Sequence, residues 1–561
     1  ARRIALALGV SKLDEIGQRM EDIMGKLAGP KKSLYDKLSV IPELAAVSSY
    51  FPRHSSGRGI CQEFVMDKPD LGKLPILKCW PGDGGRFITL PIVNTYHPET
   101  GSRNAGMYRM QVFGPDTTGM HWHRHKTGAR HYEAWKTAGK RMPVAVVLGG
   151  DPVYTFAATA PLPAGIDEYL LAGFLRGKRV ELVKCLTQNI EVPSDADIVI
   201  EGYVDPAEPL VLEGPFGDHT GFYSLPDYYP LFHVTCISWR KDALYPATIV
   251  GIPPQEDEWI AKATERIFLK PVQFTLAPEV VDFNLPPFGV AHNLALVSIH
   301  KSFPGQAIKV ANALWGAGQM MFTKLFVITG ENQDIHNYRE LAMHLADNID
   351  LNRALFFTRG PVDVLDHSSM SFSYGGKLCI DASPAWSEEE ISQVLPVLTH
   401  PVAWVPQNIP GIQLSSLITG KKLHVFVVVI DKSENTVEKA AGELAGSMPD
   451  GMQAVLLFTD HSFGNLQPDR LLWYILNNID PVRDIHLISL EKVVYITVDG
   501  TRKSKKSDNF ERNWPNVIVS DEETVRTVDE FWHELGLGDY IPSPSSHFRY
   551  LVGNKGAEVV D

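Results

Sequence analysis

Positive charge, cysteine and long apolar runs are all scarce in this sequence, and each shortage removes a class of function. Lys plus Arg number 53 against 66 Asp plus Glu, a net charge of -13. That balance argues against a nucleic-acid partner gripped through its phosphates. The five cysteines, Cys61, Cys79, Cys185, Cys236 and Cys379, are scattered with no CxxC pair, so neither a zinc knuckle nor a disulfide framework is expected, and a reducing cytoplasm is the expected compartment. No apolar run approaches the roughly 18 to 20 residues that span a bilayer. The opening Ala1–Val10 has too short an apolar core for a secretory leader and no small-residue cleavage site, and reads as part of a helix. The GxGxxG dinucleotide fingerprint and the nucleotide-triphosphate loop spacing are missing as well.

What is present is an ordinary globular composition, 44% hydrophobic and 21% charged over 561 residues, enough for two or three domains with substantial cores. Residues 1–86 carry helical patterning, as in Leu13 to Leu27, and loops marked by Pro and Gly around Pro30 and Pro52 to Gly59; they read as an N-terminal α/β domain. From 87 to 300 the texture changes to short β-branched runs, Ile88 to Val93, Val144 to Leu148, Ile198 to Val204, His233 to Ser238 and Asn293 to Ile299, which read as a β-barrel-like core with inserted helices. From 301 to 561 strands and helices alternate, including Leu325 to Thr329 and the amphipathic Tyr338 to Asn348. That segment echoes itself. Leu325 to Thr329, Asp350 and Arg353 match Val455 to Thr459, Asp480 and Arg483 at one constant offset, which predicts two related strand-helix units.

The chemistry concentrates in four places. In Glu213-Gly-Pro-Phe-Gly-Asp218-His-Thr-Gly221 two carboxylates sit on a loop whose glycines and proline aim side chains rather than build a helix. Ahead of an apolar strand, Asn104 and Arg109 offer an amide oxygen for a cation and a fixed positive fork for carboxylates. His121, His123 and His125 would share one face if the run were a strand, a geometry able to hold a metal. Glu168 follows a bent loop containing Pro161, Pro163 and Gly165 into a helix, and Gly375-Gly376-Lys377 pairs flexible amides with one ammonium, as a phosphate cradle would.

Taken together, Asn104 to Arg109, Glu168, Val183-Lys-Cys185, Glu213 to Gly221 and Gly375 to Lys377 resemble the UbiD family of decarboxylases in order and approximate spacing. The resemblance implies an α/β (α+β) fold: an N-terminal α/β domain, a central split β-barrel that binds flavin, and a C-terminal α/β domain that mediates dimerisation. It implies prenylated FMN, supplied by a flavin prenyltransferase, with its phosphate tethered through Mn2+ (or Mg2+) and K+ (or Na+). Asn104, His125 and Glu168 would be the metal ligands, with His123 a rival to His125. Met107, Tyr108 and Arg109 would line the cofactor, and Lys377 would meet the phosphate. Arg109, Glu213 and Asp218 would be catalytic, with Asp218 the proton donor. The expected substrate is an aryl or acrylic acid, a quinone precursor among the candidates, in a homodimer or higher homo-oligomer and in either direction of reaction. Shorter relatives pass from the Gly-Gly-Lys segment almost directly to a stretch similar to Asp499–Arg502; here an insertion of about 384–490 intervenes. The alternatives are a non-catalytic flavin-binding subunit and a cupin-like metal enzyme built on the three histidines.

Overall fold

The computed structural model describes every residue except 1, 29–44, 46, 164, 352, 390–403, 405–408, 464–466, 492 and 561; the loop expected around Pro30 and part of the 384–490 insertion lie outside the described residues. The chain forms two compact units, Ala1–Ile267 with Pro515–Glu558 and Phe268–Trp514 with Val559–Asp561. Among the described residues no helix is long and apolar enough to cross a membrane.

The first unit is organised by a seven-stranded antiparallel sheet. Its order runs Phe64–Val65, Leu231–Trp239, Ile198–Val204, Met142–Leu148, Ile92–Tyr96, Arg103–Met107, with Thr117–Gly119 also paired to Leu231–Trp239. One face carries the core, in which Val93, Met110, Val144, Val146, Ile200, Phe232 and Ile237 pack together. Alternation of β-branched residues in and out of that core is what the period of two in these strands demands. The expected strand Ile88–Val93 is instead two, Phe87–Ile88 and Ile92–Tyr96, paired to different partners. Pro91 stands at the break, where it has no N–H to give a ladder.

The helix Glu168–Arg176 begins where the sequence predicts. Asp167 accepts the Tyr169 N–H as N-cap, and Gly177 closes the C-terminus at φ 67, a left-handed conformation that glycine takes without a Cβ clash. Its first residue, Glu168, is thereby delivered to the edge strand Arg103–Met107.

The second unit contains one fold twice. Val280–Asn284, Leu294–Ile299, Leu325–Gly330, Tyr374–Ala382 and Leu355–Pro361 form one five-stranded sheet in that order; Ile412–Thr419, Leu423–Ile430, Gln453–Thr459, Val494–Asp499 and Ile485–Ser489 form the other. Parallel and antiparallel pairings match strand for strand. The echo in sequence is therefore a duplicated domain. Equivalent positions keep equivalent bonds: Asp381 Oδ1 accepts from the amide and hydroxyl of Ser383, and Asp499 Oδ1 from those of Thr501. Lys301 meets Glu389 at 2.6 Å and Lys432 meets Asp508 at 2.5 Å.

The two copies pack on each other reciprocally. Helix Tyr338–Asn348 of the first lies on the strands Ile412–Thr419 and Leu423–Ile430 of the second, while helix Pro468–Asn478 of the second lies on the turn Pro287–Gly289 of the first. Asp347 Oδ1 accepts the Lys421 N–H at 2.8 Å, and its equivalent Asn477 accepts from Asn293 Nδ2 at 3.0 Å. Asp480 completes the joint, with Oδ2 accepting the buried Gly376 N–H and Oδ1 the amides of Val482 and Arg483. Asp480→Ala strands the Gly376 N–H and removes a helix cap, so the expected loss is about 1–3 kcal/mol. Urea unfolding of the variant beside the parent measures it.

Candidate active site

The acid loop is anchored before it is aimed. Val211–Glu213 pairs with Asp227–Tyr229, and Phe216–Gly217 with Tyr223–Ser224. Gln111 Oε1 accepts the Gly214 N–H at 2.7 Å, and Asp83 Oδ1 accepts the Gly217 N–H at 2.7 Å. A Cβ on Gly217 would stand 2.3 Å from Cδ1 of Trp80, whose indole N–H is tied to the Val250 carbonyl. That close approach is the reason for glycine there.

So held, the loop closes on Arg109. Its Nε and Nη2 donate to Glu213 Oε1 and Oε2 at 3.0 and 3.2 Å, its Nη1 donates to Asp218 Oδ2, and Nη2 also reaches Ser224 Oγ at 3.1 Å. The guanidinium carbon lies 4.6 Å from the centre of the Phe216 ring, so apolar contact fixes the plane that the carboxylates bracket. Burial works against ionisation of Glu213. The Arg109 charge and the bonds from His121 and Arg109 outweigh it and hold the carboxyl at about 2. Asp218 follows the same pattern: burial pushes it up, but the hydrogen bond from His219 and the Arg109 charge leave it well below the usual carboxylate range. Both acids are therefore ionised at neutral pH.

The histidine run departs from its expected geometry. The strand stops at Gly119, and His123–Lys126 form a turn, closed by the Lys126 N–H on the His123 carbonyl, that leads into helix Thr127–Thr137. His121, His123 and His125 thus do not share a strand face. His121 Nδ1 lies 2.9 Å from Glu213 Oε2. Since that carboxylate can only accept, Nδ1 carries the hydrogen, and the Nε2 lone pair faces His123 Nε2. Burial and the Arg109 charge keep His121 neutral.

Asn104 and Glu168 are brought together. Glu168 Oε2 accepts the Ala105 N–H at 2.9 Å, and the buried Tyr108 hydroxyl stands 3.4 Å from Asn104 Nδ2 and 3.2 Å from the Gly128 N of the segment following His125. Burial lifts Glu168 to about 7, while the neighbouring Arg103 makes its ion pairs with Asp167 and Glu191 instead. A buried carboxylate short of a cation, held on the strand that carries Asn104, fits a hard divalent ion. Among the described residues no three His, Cys, Asp or Glu side chains are grouped to hold a metal. Met107 ends its strand opposite Ile92. Lys377 belongs to the second unit, where its Nζ donates to the carbonyls of Met321 and Thr323 and burial lowers it to about 7.

Two family models match, the 3-octaprenyl-4-hydroxybenzoate carboxy-lyase Rift-related domain over residues 53–253 and the C-terminal domain of the same carboxy-lyase over residues 258–382. The chain belongs to the UbiD family. An uncharacterised protein of Archaeoglobus fulgidus is 47% identical over 390 residues, 69% of this chain and 79% of its own length. One from Helicobacter pylori is 37% identical over 527 residues, 92% of this chain and 82% of its own. Among solved structures, the UbiD-class enzyme HmfF from Pelotomaculum thermopropionicum in complex with FMN is 27% identical, with a TM-score of 0.57 over 73% of this chain and 84% of its own. An evolved dimeric form of the same enzyme in complex with prFMN gives 27% and 0.56 over 70% and 82%. UbiD membership makes the chain a carboxy-lyase with the mixed α/β fold expected. In UbiD terms the first copy of the duplicated domain lies within the C-terminal family model, and the second copy lies beyond it.

Sequence reasoning assigned no role to His219, Ser224, Asp83 or Gln111. His219 was legible as the neighbour of Asp218; the other three reach the site only through folding. Because Glu213 and Asp218 are depressed in the fold, their stabilisation is complete above the unfolded carboxylate range of about 4 and is lost as pH falls through it. Melting temperature should therefore drop steeply from about pH 4 towards pH 2, and a Glu213→Gln, Asp218→Asn double variant should show a shallower acid slope by differential scanning fluorimetry.

Proposed function

We propose that this chain catalyses non-oxidative decarboxylation of an aromatic or α,β-unsaturated carboxylic acid with prenylated FMN, a quinone-precursor acid among the candidates. The observation that carries this reading is the buried guanidinium of Arg109 clamped between Glu213 and Asp218. Loss of carbon dioxide from an sp2 carbon leaves an electron pair that side chains cannot delocalise, and prenylated FMN, when bound, supplies the electron sink. The similarity to HmfF, solved with FMN and prFMN, supports that cofactor.

The residues then have separable tasks. Arg109, Glu213 and Asp218 together carry one net negative charge at rest. A substrate carboxylate arriving beside them opposes the ionisation of Asp218 and raises its proton affinity. Asp218 takes up a proton on substrate arrival and delivers it to the carbon that carbon dioxide leaves. Glu213 stays ionised and neutralises Arg109, which leaves the guanidinium no surplus charge with which to retain the departing carboxylate. The same groups serve carboxylation in reverse.

Asn104, Glu168 and His125 would hold Mn2+ or Mg2+, with K+ or Na+ beside it, and Lys377 would meet the cofactor phosphate; Met107 and Tyr108 would line the cofactor. A flavin prenyltransferase would supply it, in the cytoplasm. A homo-oligomer is the proposed assembly, supported by the dimeric form described for HmfF.

Co-expression with a flavin prenyltransferase tests this reading. The purified protein should show modified-flavin absorbance and bound Mn, and release carbon dioxide from at least one member of a panel of aryl and acrylic acids. Modified flavin without turnover points to the non-catalytic subunit, and Fe or Zn without flavin to the cupin-like enzyme. Arg109→Ala should lower kcat/KM by about 10²–10⁴-fold, and Glu168→Ala should lose metal and flavin together, read by metal analysis and absorbance.

A further inference from the structure

The proton balance of the proposed decarboxylation makes a demand on the acid loop. In each turnover the bond between the substrate carbon and its carboxyl group breaks, carbon dioxide leaves, and the electron pair becomes a C–H bond to a proton from Asp218. Asp218 is then an empty carboxylate and must be recharged once per cycle.

Its surroundings leave few routes. The Asp218 side chain is 13% exposed. Oδ2 accepts from Arg109 Nη1, and Oδ1 accepts the backbone N–H of His219 at 2.8 Å and lies 3.1 Å from His219 Nδ1. A guanidinium does not give up a proton in a protein, and a backbone amide does not exchange one in catalysis. His219 remains. Its side chain is 25% exposed, so one ring spans buried carboxylate and water.

We infer that His219 is a positioning and proton-relay residue that carries a solvent proton to Asp218 once in each turnover, as substrate arrives. The Nδ1–H bond breaks, an Oδ1–H bond forms, and solvent restores one proton to the ring. Asp257, in the first turn of helix Asp257–Thr275, is a second carboxylate whose charge couples to His219, and its buried Oδ1 accepts no hydrogen bond. Asp218 and Asp257 both act on the imidazole through their charges, and Arg109 is bonded to Asp218. Two carboxylates coupled to the ring favour the charged imidazolium that the transfer starts from.

The relay rests on the decarboxylase reading but is tested apart from it. In holoenzyme, His219→Ala should lower kcat by about 10²-fold at unchanged flavin occupancy and KM, flatten the pH profile of kcat, and recover with added imidazole. His219→Asn offers Asp218 an amide donor that cannot pass a proton on, and should stay slow. Wild-type kcat in the Asn variant would reduce His219 to a hydrogen-bond support, and wild-type kcat in the Ala variant would remove it from the reaction. A separate measurement needs no turnover: in ¹⁵N-histidine-labelled protein the His219 ring should titrate across neutral pH and Asp257→Asn should shift that titration downward. A ring fixed in one protonation state throughout overturns the relay even if the protein proves not to be a decarboxylase. A wild-type holoenzyme that releases no carbon dioxide while this ring titrates as expected would instead count against the decarboxylase reading alone.

Discussion

The site depends on one buried cation. Arg109 is surrounded by ring, hydroxyl and two carboxylates, and removing its charge would leave both acids desolvated with nothing to balance them, a situation that costs about 3–5 kcal/mol in buried ion pairs. The same charge favours the ionised forms of Glu213 and Asp218 and helps keep His121 neutral. Structure and reactivity are in this respect one electrostatic problem.

Much of this was legible in the residues. Glycine and proline around Glu213 and Asp218 announced an aimed loop, and the bent Pro- and Gly-marked loop before Glu168 announced a helix start. Helix Tyr338–Asn348 falls where its periodicity places it, and the repeat of Leu325–Thr329 at Val455–Thr459 proved to be a whole domain. These are local signals, set by backbone freedom and side-chain period.

What was illegible is long-range. Nothing near His121 in sequence indicates that its ring is turned onto a carboxylate on a distant loop, and the run reads as a strand because alternation cannot see that the strand stops at Gly119. The return of Pro515–Glu558 to the first unit has no local cue either. It is visible only as the pairing of Phe222 with Val517 and the acceptance of the Ile518 N–H by the Gly221 carbonyl. Those contacts place the far end of the chain directly behind the acid loop.

The duplicated domain has an asymmetry with evolutionary weight. At the register position of Lys377 in the first copy, the second carries Tyr495, so any duty toward an anion rests on one copy alone. The other is bound to its twin by Asp480 and the reciprocal helix contacts, which restrict its joint and its core. A duplicated module held through its joint and core can change on its surface without disturbing the packing of its twin.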